Sequence, residues 1–297
     1  MAQSAEMQKF KGTPGQIRRQ RIERIGAIFI SFVLAGWILV NLLESPQQFA
    51  QVAVLGLRNG LLYALIALGY TLVYGIIELI NFAHGDLFML SAVFSSYFIT
   101  VWFKQDESNP AGWLTFISAL FAVMAFGAVI NVLIERLAYR RLRNAPRLAP
   151  LITAVGMSFL LNFIGLKWNG STPRQWPTVI PNNDIYIGEV RISMVTILLF
   201  VVGVPLLLAL NFIVEKTKSG KAMRATAQDK QAAALMGINV NKTIAFTFAI
   251  GGAMAGAAGL LYQQSIGTTS YNLGFQLGLI AFTSAVLGGI GNLWGAV

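Results

Sequence analysis

Long uninterrupted apolar runs constrain this sequence more than any other feature. Those at 25–43, 113–134 and 192–213 reach the ~20 residues that carry a helix across ~30 Å of hydrocarbon. A bilayer core offers no water to backbone N–H and C=O groups. A segment that crosses it must therefore satisfy them internally, as a helix or within a closed barrel. The runs here are continuous rather than alternating, which argues against barrel strands. The sequence reads as an all-α polytopic membrane protein.

Composition matters at two points. Only 11% of the residues are charged, less than half the ~25% usual in soluble domains. The net charge of +10 is therefore assigned to topology and lipid headgroups rather than to nucleic acid. The chain has no cysteine and one histidine, His84. Disulfide and thiol chemistry are excluded, and a His/Cys metal site is not expected.

Eight spans are predicted, at 25–43, 59–77, 87–103, 113–134, 148–167, 192–213, 243–262 and 274–295. The basic segment 1–24 precedes the first. It is not read as part of a signal peptide, because the apolar run is too long for an h-region and no A-x-A site follows. With the N-terminus in the cytoplasm, the internal segments 1–24, 78–86, 135–147 and 214–242 hold 17 of the 22 Lys and Arg residues. That asymmetry follows the positive-inside rule and supports the orientation. The domain reading is a cytoplasmic N-terminal segment 1–24 and a transmembrane domain 25–297 that includes the cytoplasmic loop 215–242. Apolar character around the second span extends from Val52 to Ile80, ~44 Å as straight helix. Such a stretch has to tilt, break or re-enter.

A polar island, 78–86, follows that stretch. Ionisable groups inside a membrane protein are costly and are functional candidates by default. Two readings stand for His84 and Asp86. They form a proton relay, or Asp86 caps a helix starting at Leu87 while His84 is a turn residue at the interface. Asn81 would brace the helix break, Gly85 would supply unusual backbone angles, and Glu78 would reach the headgroups. Tyr63, Tyr70 and Tyr74 share one helical face. They read either as a substrate path or as an interhelical hydrogen-bonding stripe. The candidate substrate path is thus Tyr63, Tyr70, Tyr74, Asn81, His84 and Asp86. The spacing of Gly252 and Gly256 predicts a tight helix contact. Gly288, Gly289 and Gly291 are placed to interrupt the last span.

Two loops differ in character. The external loop 168–190 contains Pro173, Pro177, Pro181 and two tryptophans, and reads as an ordered interfacial loop. The internal loop 215–242, EKTKSGKAMRATAQDKQAAALMGINVNK, is rich in alanine and charge and favours helix. Asp229 is placed to cap a short helix over 230–236, and Gly237 to end it. Leu235 and Met236 would be exposed. The segment reads either as a docking element for a partner's groove or as an amphipathic helix lying on the membrane.

Three stretches carry a resemblance. INFAHGD (80–86), preceded by YALIALGYTLVYGI (63–76), resembles the LivH-type permeases of branched-chain amino acid ABC transporters. GKAMRATAQDKQAAALMGIN (220–239) resembles their cytoplasmic loop, and AFTSAVLGGIGNLWGA (281–296) their Gly-rich C-terminal region. The matches keep their order from about residue 52 onward. The resemblance implies an ABC-importer permease fold in the bacterial plasma (inner) membrane. It also implies a second, LivM-like permease, two cytoplasmic ABC ATPase subunits and a periplasmic substrate-binding protein. ATP would be used by the partner subunits, since this chain has no G-x-x-x-x-G-K-[ST] loop, and no cofactor or metal is expected on it. The loop 215–242 would couple to the ATPases through Gly220, Arg224, Asp229, Gln231, Ala232, Ala233, Leu235, Met236 and Gly237. QAAALMG (231–237) fits the E-A-A-x-x-x-G loop of ABC importers with Gln in place of Glu, while the downstream Ile-x-Leu-Pro is absent. The N-terminal extension looks longer than usual for the family, and the end at Val297 looks C-terminally truncated.

The expected cargo is a branched-chain or other neutral hydrophobic amino acid, with urea or a short amide as the alternative within the same family. A proton-coupled secondary transporter using Glu78, His84 and Asp86 is the rival from another class. An enzymatic reading has no support, because no nucleophile elbow, H-E-x-x-H or paired carboxylates within one span occur.

Overall fold

In a computed structural model, residues 14–104, 112–143, 145–146, 148–176, 179, 184–289 and 291–297 are described. The chain divides into two units, one of residues 1–53 with 188–190 and one of the remainder. In the first, helix α1 spans Pro14–Glu44. Pro46 disfavours helical geometry at Ser45, where α1 ends. Within α1, Arg24–Glu44 is long and apolar enough to cross a membrane. Helix α2, Pro46–Ile77, begins in this unit and runs on without a break.

The second unit is built around α3 (Ala83–Tyr97), all of whose residues except Phe94 and Tyr97 are buried. A wide turn at Phe98–Trp102 extends it. Helix α4 (Trp113–Ile134) continues as a π-helical stretch, Glu135–Tyr139, and a 3-10 turn, Arg140–Leu142. Helices α5 (Leu148–Asn169), α6 (Met194–Lys216), α7 (Lys218–Gln228), α8 (Lys230–Leu235) and α9 (Val240–Ile266) follow. The chain then forms α10 (Leu273–Leu287) and α11 (Leu293–Ala296). Helix α3 packs against α4, α5, α9 and α10. The outer helices α4, α5 and α6 turn large apolar side chains outward, among them Phe121, Phe159, Phe163 and Phe212. This pattern suits hydrocarbon surroundings, where outward apolar groups cost nothing.

Glycines fix the closest helix approach. A Cβ at Gly252 would overlap the Gly127 carbonyl and lie 2.6 Å from the Asn131 Cβ. One at Gly256 would lie 2.9 Å from the Val123 carbonyl carbon. The predicted small-residue contact is therefore the seam between α4 and α9.

Among the described residues, seven helices are long and apolar enough to span. The eighth predicted span, 274–295, is not one continuous crossing. Helix α10 has 15 residues, ~22 Å of rise, and short α11 follows it. Gly289 (φ 92) and Gly291 (φ 91) make the interruption, in a conformation that glycine reaches without a Cβ penalty. The loop 168–190 is ordered where described. Arg174–Gln175 pairs antiparallel with Thr268–Thr269, and Trp176 Nε1 donates to Gln264 Oε1 at 3.0 Å. Pro177 and Pro181 lie outside the described residues.

Candidate functional site

The polar island is only partly a loop. Helix α2 ends where Glu78 turns left-handed (φ 57), its N–H donating to Tyr74 O at 2.8 Å. The Glu78 side chain is exposed. Helix α3 begins at Ala83, so the break is 78–82. His84, Gly85 and Asp86 lie in the first turn of α3, which corrects three expectations. Asp86 does not cap a helix starting at Leu87. The N-cap position is Phe82, without a side-chain cap, and Asp86 Oδ2 instead accepts from Ser158 Oγ on α5. Its place in the first turn still sets a carboxylate near the positive end of the helix dipole.

His84 is not a turn residue at the interface but is wholly buried. Its ring occupies the space left by Gly69, where a Cβ would overlap Nε2. It also meets Tyr70 edge-on at 4.7 Å between centroids. Neither ring nitrogen has a hydrogen bond of normal geometry, and the Ile66 carbonyl faces the ring.

Gly85 supplies no unusual angle. It supplies room, because a Cβ would overlap the Gly274 carbonyl and lie 2.8 Å from the Gly278 Cα. Its N–H donates to the Tyr70 hydroxyl at 3.1 Å. Helices α3 and α10 therefore meet backbone to backbone at this point, and α2 reaches it through the Tyr70 hydroxyl.

The six path candidates separate into groups. Tyr70, Tyr74 and Asn81 line one small cavity with Phe282, about 10 Å³, room for about one water. Tyr63 is half-buried on the same helix, further from the break. His84 faces α2 and Asp86 faces α5, roughly 200° apart on α3, so no hydrogen bond joins them.

The sequence reading passed over Asn131, Glu135 and Tyr139, and of these Asn131 and Tyr139 tie the break in place. Asn131 Nδ2 donates to Phe248 O at 2.7 Å on α9, and its Oδ1 accepts from Asn81 Nδ2 at 3.4 Å. The Tyr139 hydroxyl lies 3.2 Å from both Ile80 O and Asn81 Oδ1. Glu135 is fully buried. Its Oε1 accepts from Arg140 Nε at 3.1 Å, and its Oε2 from Arg140 Nη2 at 2.8 Å. Arg143 Nη2 also donates to Oε1. Burial lowers the pKa of the Arg143 guanidinium from its ordinary value, and Glu135 opposes that shift. The signal was present: polar residues at i, i+4 and i+8 line one face of the helical stretch that continues α4. Ser158 and Asn162 on α5 repeat it, with Asn162 Nδ2 donating to Tyr271 O at 3.2 Å.

Residues 215–242 form two short helices. Thr217 caps α7, accepting from Gly220 N at 3.1 Å. Gly220 is buried, and a Cβ there would overlap the Ile213 and Val214 carbonyls. Arg224 Nη1 donates to Val214 O, satisfying an end carbonyl of α6. Asp229 Oδ1 accepts from Gln231 N at 2.8 Å and Ala232 N at 3.0 Å. The end of α8 is a Schellman turn. Gly237 (φ 82) donates to Ala234 O, and Ile238 to Ala233 O, both at 3.0 Å. Ala233 faces inward, while Gln231, Ala232 and Gly237 are exposed. Leu235 is 89% exposed and Met236 83%.

The profile of the branched-chain amino acid transport system permease component matches residues 52–297. The high-affinity branched-chain amino acid transport system permease protein BraD of Pseudomonas aeruginosa is 40% identical over 256 residues, 84% of this chain and 82% of that protein. The corresponding LivH of Escherichia coli K12 is 39% identical over 260 residues, 86% of this chain and 83% of its own length. A probable LivH of Methanocaldococcus jannaschii is 32% identical, over 80% of this chain and 73% of that protein. No solved structure matches. The chain belongs to the family of branched-chain amino acid transport system permease components.

Proposed function

We propose that this chain is the membrane-embedded permease subunit of an ATP-driven importer for branched-chain or other neutral hydrophobic amino acids. The observation that carries the reading is the family match over residues 52–297, which takes in both the helix break and the cytoplasmic hairpin α7–α8. The protein is a multi-pass component of the bacterial plasma membrane, with its N-terminus in the cytoplasm. The distribution of Lys and Arg supports that orientation. A second, LivM-like permease, two ABC ATPase subunits and a periplasmic binding protein complete the machine. ATP binds those ATPases and no cofactor binds this chain.

Alternating access is transmitted through residues 215–242. Short helices held by caps at both ends present Leu235 and Met236 outward, as a groove on a partner would require. Gly220, Asp229 and Gly237 shape this element, Arg224 anchors it to α6, and Gln231 and Ala232 lie on its open side. Tyr63, Tyr70, Tyr74, Asn81, His84 and Asp86 belong to the path or to its walls. A substrate opening forms only in another conformation.

The test is purification from the native membrane in mild detergent, followed by reconstitution with the binding protein. Recovery of a second permease and ATPases is expected, with leucine uptake that requires ATP and survives a protonophore. Urea uptake in place of leucine would correct the cargo. Recovery of the chain alone, with uptake that collapses under the protonophore, would overturn the importer reading in favour of proton coupling.

A further inference from the structure

The charged cluster around Glu135 has a form that helix packing alone does not require. A buried carboxylate is expensive unless paired, and well-packed apolar residues commonly replace such groups without loss of stability. Here two guanidiniums hold it, and the cluster has two ends. At one end, Arg143 Nη1 donates to Asn241 Oδ1 at 2.6 Å. Asn241 is in the first turn of α9, two residues after the N-cap Asn239 and close behind the Schellman turn that ends the hairpin. At the other end stands Tyr139, four residues after Glu135, with its hydroxyl at the 78–82 break. That hydroxyl has a single proton and two acceptors at the same distance, the Ile80 carbonyl and the Asn81 side chain. It can therefore bond one or the other. The stretch joining the two ends, Glu135–Tyr139, is π-helical, a wide turn found often where helices rearrange at functional sites.

We propose that Glu135 is a positioning residue that transmits movement of the cytoplasmic hairpin to the α2–α3 break, through Arg143 and Asn241 on one side and Tyr139 and Asn81 on the other. The proposal rests on the importer reading above. Movement of the start of α9 shifts Arg143, Arg143 shifts Glu135, and the π-helical stretch carries the shift to Tyr139. The hydroxyl then changes acceptor and releases or holds the Asn81 side chain. Coupling of this kind needs an element with two discrete arrangements, and the shared Tyr139 proton provides one.

The experiment measures substrate imported per ATP hydrolysed by the complete transporter in proteoliposomes. Glu135→Gln is expected to lower that ratio about fivefold or more. Tyr139→Phe keeps the ring and removes the proton, and is expected to lower the ratio by about threefold. The double variant falls no further than Glu135→Gln alone, because both act on one path. An unchanged ratio overturns the proposal. So does a multiplicative loss in the double variant, or a fall in ATP hydrolysis and import in equal proportion. If Glu135→Gln does not assemble, Tyr139→Phe and the exposed Asn241→Ala decide the matter, and a wild-type ratio in both overturns it. Failure of the importer reading shows separately, as no ATP-dependent uptake by the wild-type complex, and the proposal falls with it.

Discussion

The helix break at 78–82 and the hairpin α7–α8 both set polar groups into a largely apolar chain, but they satisfy them in opposite ways. In the hairpin, the caps are local: Thr217 serves Gly220, and Asp229 serves Gln231 and Ala232. Every one of these partners lies within three residues. At the break, the partners are distant in sequence. Asn81 meets Asn131, Asn131 meets Phe248, and Asp86 meets Ser158. Local satisfaction survives movement of the whole element. Distant satisfaction holds only while several helices keep their register. The caps of the hairpin are therefore held within it, with Arg224 tying α7 to α6, and the break is a joint that several helices hold in common.

One glycine from each region gives the sharpest contrast. At Gly85 the obstacle to a side chain is backbone, the Gly274 carbonyl and the Gly278 Cα at 2.8 Å. Neither can swing aside as a flexible side chain would. Gly85→Ala should therefore destabilise by about 3 kcal/mol, the upper range for overpacking. Thermal denaturation of the permease in mild detergent would read it as a clear fall in Tm. A Tm close to wild type would mean that α3 and α10 separate easily, and the picture of a shared joint would fail.

The next largest effect is expected at Asn131. Its amide bridges Asn81 and the Phe248 carbonyl, so Asn131→Ala removes both bonds and leaves the buried Asn81 Nδ2 without its acceptor. The cost is about 2 kcal/mol, again read as a fall in Tm. A double variant with Asn81→Ala should cost less than the sum of the two, since each substitution removes a partner of the other. Strict additivity would show that the two amides do not depend on each other.

These two sites also show what could be read in advance. The long apolar runs predicted the helices, because a bilayer leaves a chain little choice. The hairpin was legible almost to the residue, since caps and Gly237 act on their sequence neighbours. The break was legible as a place but not as an arrangement. Asp86 looked like a cap because a carboxylate just before an apolar run usually is one. Its actual partner, Ser158, is brought up by the packing of α5 on α3, which no local pattern encodes. Gly85 looked like a turn for the same reason, and only the position of α10 shows that it makes room instead. The set Asn131, Glu135 and Tyr139 had a four-residue period that the sequence displayed. Its meaning required knowing that the end of α4 lies beside the break.

At Gly237 the space is open and only the backbone angle, φ 82, resists a side chain. Gly237→Ala should cost about 1 kcal/mol, the strain of a left-handed L-residue. Gly237→Asn should recover part of it, because Asn tolerates that conformation. Hydrogen–deuterium exchange at the Ile238 amide, which closes the Schellman turn on Ala233, reads both. Equal exchange in Gly237→Ala and Gly237→Asn would show that the angle is not what selects glycine there.

The smallest effect isolates a single cap. Asp229 Oδ1 holds the Gln231 and Ala232 amides, and α8 has only six residues in which to absorb a loss. Asp229→Ala should cost about 1 kcal/mol, roughly a fivefold rise in local opening. The Tm of the permease should not move, because α8 opens without disturbing the helices around α3. Faster exchange should appear at Gln231 and Ala232 and nowhere near the break. Asp229→Asn should restore protection, since an Asn oxygen caps as well. Faster exchange reaching Tyr139 or Asn81 would show that hairpin and break unfold together, and the distinction between a locally capped unit and a shared joint would be lost. Faster exchange confined to α8, with less substrate imported per ATP, would show that the hairpin must be formed, not merely present, for coupling to pass through it.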